Sequence, residues 1–128
     1  IDVLDRDACC ALIAPGGVGR IVFTEVRGPV ALPVNYRMLG DNIVFRTAAT
    51  SALLRALQHE QVSFEVDFLD DALAEGWSVL VSGSGDLIVD PVQLQRALKS
   101  GVTPWASGKK DDFICIKPSV ITGRRIRR

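Results

Sequence analysis

Cysteine and histidine, which often hold metals or act in catalysis, are scarce in this sequence. There are three cysteines, Cys9, Cys10 and Cys115, and an odd number with two adjacent forms no disulfide framework. No paired Cys-x-x-Cys spacing indicates zinc, and free thiols predict a reducing, cytoplasmic location. The one histidine, His59, follows a polar helix turn. A solvent-facing helix end suits it better than a Ser-His or Cys-His catalytic arrangement.

An excess of one charge and a long apolar run are also missing. The 15 basic and 15 acidic residues cancel, which argues against a nucleic-acid-binding protein that relies on bulk charge. No apolar run approaches the roughly 20 residues that span a bilayer, and no signal segment opens the sequence. We therefore predict neither a nucleic acid nor a membrane as a partner. Four arginines crowd the C-terminus, where we favour a solvated tail over an anion contact.

What is present is a globular composition. The chain has 128 residues, 48% of them hydrophobic and 23% charged. This length suits one domain, residues 1–128, that buries a core without a metal or a disulfide. Cys10 and Cys115 fall in phase with apolar residues, so we expect both thiols to be buried and inert.

Strand-like alternation dominates the chain. It is clearest at 29–39, where Val30, Leu32, Val34, Tyr36 and Met38 share one face. Tight turns such as Gly40-Asp41-Asn42 indicate a mainly antiparallel sheet, and a sheet of this size favours closure into a barrel. The predicted strands cover 19–26, 29–39, 42–47, 62–70, 76–90, 112–117 and 119–126.

Three short helices complete the predicted all-β fold. Residues 4–14 repeat apolar residues with helical spacing, and Asp5 is the expected N-cap. Residues 50–58 form a second helix, which Thr50 or Ser51 caps. Asp90-Pro91 begins a third helix, with Leu94, Ala97 and Leu98 facing inward.

Two features of the strands mark interruptions of regular pairing. The glycines at 83 and 85 predict a bulge or sharp bend. Pro33 donates no ladder hydrogen bond, so it belongs at an edge, at a bulge, or where the ladder opens and a ligand can approach the backbone.

Three segments carry a resemblance to a known family: PVALPVNYRMLGDNIVFRTAATSALL, VSFEVDFLDDALAEGWSVLVSGSGDLIVDP and TPWASGKKDDFICIKPSVITGRRI. In this order they resemble the pyridoxamine 5'-phosphate oxidase-like superfamily, especially its small actinobacterial members and nitroimidazole-reductase-like relatives. The resemblance covers nearly the whole chain. It implies a Greek-key split β-barrel of the FMN-binding type, working as a homodimer with flavins at the subunit interface.

The resemblance also implies a set of cofactor contacts. Residues 33–36 would line the isoalloxazine ring, Arg46 and Thr47 would lie near the ribityl phosphate, and Thr50 and Ser51 would follow at the helix start. The chemistry agrees in part, because a helix N-terminus and an arginine both suit a phosphate. The complete set of implied cofactor-binding residues is Pro33, Val34, Asn35, Tyr36, Arg46, Thr47, Thr50, Ser51, Trp77, Ser78, Val79 and Trp105.

Several of these residues also have a purely structural interpretation. Arg46 suits a surface salt bridge, Tyr36 suits the core, and both tryptophans suit packing or a dimer interface. Glu65 and Asp67 share a strand face, where we expect them to pair with an arginine of a neighbouring strand such as Arg37 rather than to act as an acid–base pair.

One position departs from the family pattern. The family usually places a basic residue just after the small hydroxyl residue that opens the helix, whereas here Ser51 is followed by Ala52 and Leu53. Losing one charge-assisted contact costs on the order of 1–3 kcal/mol, which predicts weak FMN binding.

The sequence thus supports three functional hypotheses. The first is an FMN-dependent oxidoreductase with a small-molecule substrate that the sequence does not identify. The second is a module that binds or stores a flavin, or the deazaflavin coenzyme, without turnover. The third is a dimeric structural member of the family without a cofactor. No catalytic side chain is predicted, because a flavin ring itself carries the electrons.

Overall fold

Strands form most of the chain in the computed structural model, which describes residues 1–48, 50–58, 62–103 and 112–127. The described residues contain seven strands and three short helices, and no helix among them is long and apolar enough to cross a membrane. In chain order the elements are β1 (Asp2–Leu4), α1 (Arg6–Ile13), β2 (Gly17–Glu25), β3 (Gly28–Leu39), β4 (Asn42–Thr47), α2 (Ser51–Gln58), β5 (Val62–Asp70), β6 (Glu75–Leu87), α3 (Pro91–Lys99) and β7 (Asp112–Ile126).

The sheet closes on itself, as the sequence and the resemblance predict. Its strand order is β1-β7-β4-β3-β2-β5-β6, and β6 pairs with β7 to complete a ring of six antiparallel strands. The long strand β7 makes this closure possible because it pairs with β6 along most of its length, while β4 and then β1 pair along its other edge. The split-barrel fold is therefore confirmed.

Alternation along each strand divides the barrel into an inner and an outer surface. The inner surface is apolar, and its centre is an aromatic cluster in which the Phe64 ring lies 5.3 Å from Tyr36 and 5.8 Å from Phe45. Gly19 faces Phe64 from β2, and a Cβ there would collide with the Phe64 ring. Glycine at this position lets the central ring pack against the backbone of the neighbouring strand.

The helices begin where capping chemistry predicts. The Asp5 carboxylate accepts the Ala8 N–H at 2.8 Å, and Asp90 accepts the Gln93 N–H at 3.0 Å. The helices α1 and α2 pack against the barrel core, the latter through Leu53 and Leu57. The third helix, α3, lies outside the barrel, over a second apolar cluster of Val44, Ile88, Ala97, Val102 and Phe113.

The predicted interruption at Gly83 is present. Ser82 pairs with Val120 and Gly83 with Pro118, which shifts the register of β6 against β7 by one residue. Gly83 approaches β7 so closely that a Cβ there would collide with the Lys117 carbonyl oxygen. The prediction of two separate C-terminal strands is wrong, because Pro118 lies at this bulge and β7 continues through it.

Other local predictions need correction. Leu4 belongs to β1, so α1 begins later than predicted, at Arg6. Leu98 is 54% exposed, because α3 packs against the barrel mainly through Ala97. Leu32 is 41% exposed although it shares the inner face of β3.

The cysteines also differ from the prediction. All three are free, but Cys9 rather than Cys10 is the buried thiol of α1, and Cys115 is only half-buried. Burial raises the pKa values of Cys9 and Cys115, which keeps both thiols protonated. The cytoplasmic location stays a prediction.

Candidate functional site

The backbone edge of β3 is open at Pro33. This residue pairs with Arg20 of β2 on one side. On the other side, in the described part of the chain, β4 pairs with β3 only from Tyr36 to Leu39. The backbone edge at Pro33 and Asn35 is therefore free of β4, and the prediction that the ladder opens near this proline is confirmed.

Residues 33–36 divide between the two surfaces of the barrel. Val34 and Tyr36 point inward and are buried, whereas Pro33 is exposed and Asn35 half-buried. The Tyr36 hydroxyl donates a 2.8 Å hydrogen bond to the Ile13 carbonyl, and burial raises its pKa to about 12. The Asn35 amide lies 3.3 Å from the Thr103 hydroxyl. Any side-chain contact from this stretch to a flavin ring would thus come from Pro33 and Asn35.

Arg46 and Thr47 lie where β4 separates from β3. Arg46 follows Phe45, which pairs with Tyr36, so it lies at the same level of the barrel as Asn35. Both residues pair with the start of β7, and the Arg46 guanidinium lies 5.0 Å from the centre of the Phe113 ring. This cation–π contact holds a half-buried positive charge over β7, which flanks β4 on the side away from β3.

The start of α2 follows closely along the chain. The Thr50 hydroxyl accepts the Leu53 N–H at 3.1 Å, so the predicted Thr50 cap is confirmed. The N–H groups of Ser51 and Ala52 precede it and have no acceptor within the helix, as in any first helical turn. The Ala52 side chain packs against the barrel core. The position that the family usually gives to a cation therefore carries an inward-facing methyl group.

The segment Trp77-Ser78-Val79 lies apart from this opening. Val79 is fully buried inside the barrel, and Trp77 packs against the end of the same core. Only Ser78 faces outward. Leu80, two residues after Ser78 on β6, lies in one row with the opening. It pairs with Glu65 of β5, Glu65 pairs with Arg20 of β2, and Arg20 pairs with Pro33 of β3. Three strand spacings separate β3 from β6 along this row, about 14 Å. Trp105, the last implied contact, lies outside the described residues.

Between these two regions lies an ionic cluster on the outer surface. Arg20 contacts the Glu65 carboxylate at 3.2 Å and the Asp67 carboxylate at 3.3 Å. The predicted pairing of the two acids with an arginine is right in kind, but the partner is Arg20 rather than Arg37. Arg37 instead donates to the Tyr36 carbonyl at 3.4 Å. Sequence alone did not show which arginine, because the choice depends on how β5 registers against β2.

Glu65 is the most perturbed acid of this cluster. Burial raises its pKa to about 7, and the neighbouring Asp67 carboxylate adds to the effect, although Arg20 opposes it. A carboxyl group with such a pKa exchanges a proton near neutral pH. The outer surface of the barrel thus carries a titratable group between the opening at Pro33 and Ser78. Within the described segments, no group of three acidic, histidine or cysteine side chains is placed to hold a metal.

Comparison with known proteins agrees with this architecture. Residues 5–125 match the family described as pyridoxamine 5'-phosphate oxidase. An uncharacterized protein of Mycobacterium tuberculosis, Rv0080, is 34% identical over 96% of this chain and 84% of its own length. The FAD-binding protein of Mycobacterium smegmatis superposes with a TM-score of 0.83, with 31% identity and 99% of each chain covered. DIP1874 of Corynebacterium diphtheriae, a conserved protein of unknown function, has a TM-score of 0.81 and 26% identity, over 99% of this chain and 98% of its own.

Proposed function

The chain belongs to the pyridoxamine 5'-phosphate oxidase family, and on that premise we propose that it is a flavin-dependent oxidoreductase. The observation that carries the proposal is the separation of β3 from β4, which leaves a backbone edge of β3 open at the level where Arg46 lies on β4. The Mycobacterium smegmatis protein, which is 31% identical to this chain, is an FAD-binding protein, and this supports the same class of ligand here.

The residues at the opening suit two parts of a flavin nucleotide. Arg46 and the first N–H groups of α2 provide a cation and hydrogen-bond donors for phosphate oxygens. The open edge at Pro33 and Asn35 provides a flat surface and an amide for the ring. When bound, the flavin supplies hydride or electron transfer, and these residues hold and orient it.

The choice of flavin follows from the charge at the phosphate end. FMN ends in a phosphate monoester, which carries a charge of about −1.5 to −2 at pH 7. The inward-facing Ala52 leaves this end with Arg46 and the helix N-terminus, without the usual second cation. FAD spreads its negative charge over two phosphates and adds an adenosine that can make further contacts. We therefore propose FAD as an alternative to the FMN that the sequence predicts.

We further propose that the outer surface joins two copies of the chain. Apolar side chains are exposed there on three strands: Val18 is 45% exposed, Leu80 43% and Val120 55%. Burying them against a second copy supplies hydrophobic free energy and excludes water from the flavin. Size-exclusion chromatography at micromolar concentration should then give twice the chain mass of 13.9 kDa. A monomer would contradict the interfacial site.

The first experiment is a titration of dialysed protein with FMN, FAD and the deazaflavin coenzyme, followed by tryptophan fluorescence. Saturable quenching by one of them identifies the flavin. Arg46→Ala should weaken that affinity about tenfold or more through loss of a charge-assisted contact. Arg55→Ala is the matched control, because Arg55 is exposed on α2 and its substitution removes the same charge. Equal effects of the two substitutions would remove Arg46 from the site.

Turnover separates the remaining hypotheses. Bleaching of the bound flavin by a nicotinamide donor, followed by reoxidation with an added acceptor, supports an oxidoreductase. Tight binding without bleaching by any donor supports a binding or storage module. Flat titrations with all three coenzymes support the hypothesis of a cofactor-free dimer.

A further inference from the structure

The two ends of the barrel are closed to different degrees. At one end, Leu53 and Leu57 of α2 fill the interior. At the other end, the inward-facing positions of three strands continue beyond the packed core in one row, because Phe68 pairs with Trp77 and Trp77 with Arg125. A cavity of about 480 Å³ lies here, which we call the barrel mouth. It is lined by Leu12, Phe68, Asp70, Leu73, Glu75, Gly76, Trp77, Arg125, Ile126 and Arg127.

The barrel mouth has aromatic and apolar walls that the chain itself does not cover. Phe68 is 59% exposed although it has the same inward orientation as the fully buried Phe64, four residues earlier in β5. Leu73 is 54% exposed on the same hairpin, and Trp77 is half-buried. The cavity volume falls in the range of small-ligand sites, roughly 300–1,000 Å³. Flat apolar ligands gain most from such walls, because aromatic rings stack on them.

Arg125 brings an uncompensated positive charge to this cavity. It is half-buried, and within the described residues it forms no ion pair and its Nε atom has no hydrogen-bond partner. Asp2 pairs with Arg125 in the strand register, yet its carboxylate lies 3.7 Å from Arg127 instead. A buried Nε–H without an acceptor is unfavourable, so an anionic ligand that reaches this guanidinium is favoured.

The two acids of the lining compete little for this cation. Asp70 is already engaged, since its carboxylate accepts the Leu73 N–H at 3.1 Å. Glu75 is exposed at the hairpin, where water solvates it. The least satisfied charge in the cavity is therefore positive, which favours an anion over an aromatic cation.

We propose that the barrel mouth is a binding site for planar aromatic carboxylates. The carboxylate pairs with the Arg125 guanidinium, and the ring lies against Phe68 and Trp77. The site opens from the inner surface of the barrel, whereas the proposed flavin site lies on the outer surface. The two proposals can therefore succeed or fail independently.

The test uses 2-naphthoate as the probe, with neutral 2-naphthamide as its isostere. Isothermal titration calorimetry should give saturable binding of the acid, and about tenfold weaker binding of the amide, since only the acid forms a charge-assisted pair. The indole N–H signal of Trp77 in an NMR spectrum should shift with the same affinity. This comparison needs no substitution and so does not depend on how a variant folds.

Substitutions then locate the contacts. Arg125→Met should weaken 2-naphthoate binding about tenfold and leave 2-naphthamide binding unchanged within about twofold. Arg124→Met is the matched control, because Arg124 is the next residue of β7, is exposed and pairs with outward-facing Ser78. Phe68→Ser should weaken both probes, since it removes an exposed stacking surface.

Four affinity results would overturn the proposal. They are no binding of 2-naphthoate at millimolar concentration, equal affinities for acid and amide, equal losses for the two arginine variants, and tighter binding of 2-naphthylmethylammonium than of the acid. Displacement of 2-naphthoate by FAD or FMN would place the probe in the flavin site and would also overturn it.

Discussion

The inner and outer surfaces of strand β5 are made by alternate residues of the same nine, yet they differ in almost every property. Phe64 and Val66 point inward and are buried among other apolar side chains. Glu65 and Asp67 point outward, stay partly exposed and share Arg20. The inner surface forms part of the hydrophobic core, whereas the outer surface carries charged side chains in partly exposed ion pairs.

This difference teaches where a small barrel has room for function. A change on the inner surface disturbs close packing, so few residue types are tolerated there. Exposed ion pairs on the outer surface contribute only about 0–1 kcal/mol each, so selection can vary them for binding or chemistry. The proposed flavin site and dimer surface both lie on that outer side.

The largest expected effect comes from the centre of the inner surface. Phe64→Ala should lower the free energy of unfolding by about 3–5 kcal/mol, because it leaves a cavity between Tyr36 and Phe45. Phe68→Ala, on the same strand and facing the same way, should cost less than about 1 kcal/mol because its ring is mostly exposed. Urea unfolding at one fixed protein concentration measures both. Similar losses would mean that the barrel mouth is packed in solution.

A smaller effect is expected at Tyr36, and it distinguishes the two interpretations of this residue, a core residue and a flavin contact. Tyr36→Phe removes one of two donors to the buried Ile13 carbonyl, which keeps the Gly16 N–H, and should cost up to about 1.5 kcal/mol of unfolding free energy. The hydroxyl then acts as an anchor between β3 and α1. Loss of flavin affinity with no loss of stability would instead assign the hydroxyl to the ligand.

The smallest effect is expected on the outer surface and depends on pH. Burial raises the pKa of Glu65 to about 7 in the folded protein, above the value of about 4.3 in an unfolded chain. Between these values the folded state binds more protons at this group, so the contribution of Glu65 to stability is greatest below pH 4.3 and falls as pH rises to 7. Because the group is partly exposed, the loss should be about 1 kcal/mol.

Glu65→Gln removes this titration and isolates its contribution. The difference in unfolding free energy between the wild-type protein and the variant should change by about 1 kcal/mol between pH 5 and pH 8, with the variant gaining at high pH. Asp41→Asn, at an exposed turn, is a control for removing one carboxylate. A difference that does not change with pH would mean that Glu65 ionises with its ordinary pKa.

Much of the local structure was predictable because it depends on neighbours along the chain. Alternation placed β3, β4 and β5 within one or two residues, and Asp5, Thr50 and Asp90 cap their helices as predicted. Gly83 marked the bulge. The prediction for the C-terminal region was wrong because a proline usually indicates the end of a strand. Here the bulge between β6 and β7 accommodates Pro118, which has no N–H, and the strand continues.

For the candidate site, the sequence supplied the residue types but not their directions. The motif at 33–36 is one continuous run, yet alternation sends Val34 and Tyr36 into the core and leaves Pro33 and Asn35 outside. Likewise, nothing local shows that Arg20 rather than Arg37 meets Glu65.

Sequence alone determined that this protein is rich in strands, because alternation, turns and caps are local properties of the chain, and its ordered segments carried the resemblance to the pyridoxamine 5'-phosphate oxidase family. Tertiary structure decided the rest. Strand register places Arg20 between two acids, the divergence of β3 from β4 opens the proposed flavin site, and the end of the core leaves Arg125 without an anion in the described residues. These features depend on residues far apart in the chain, whose positions are set only when the barrel closes.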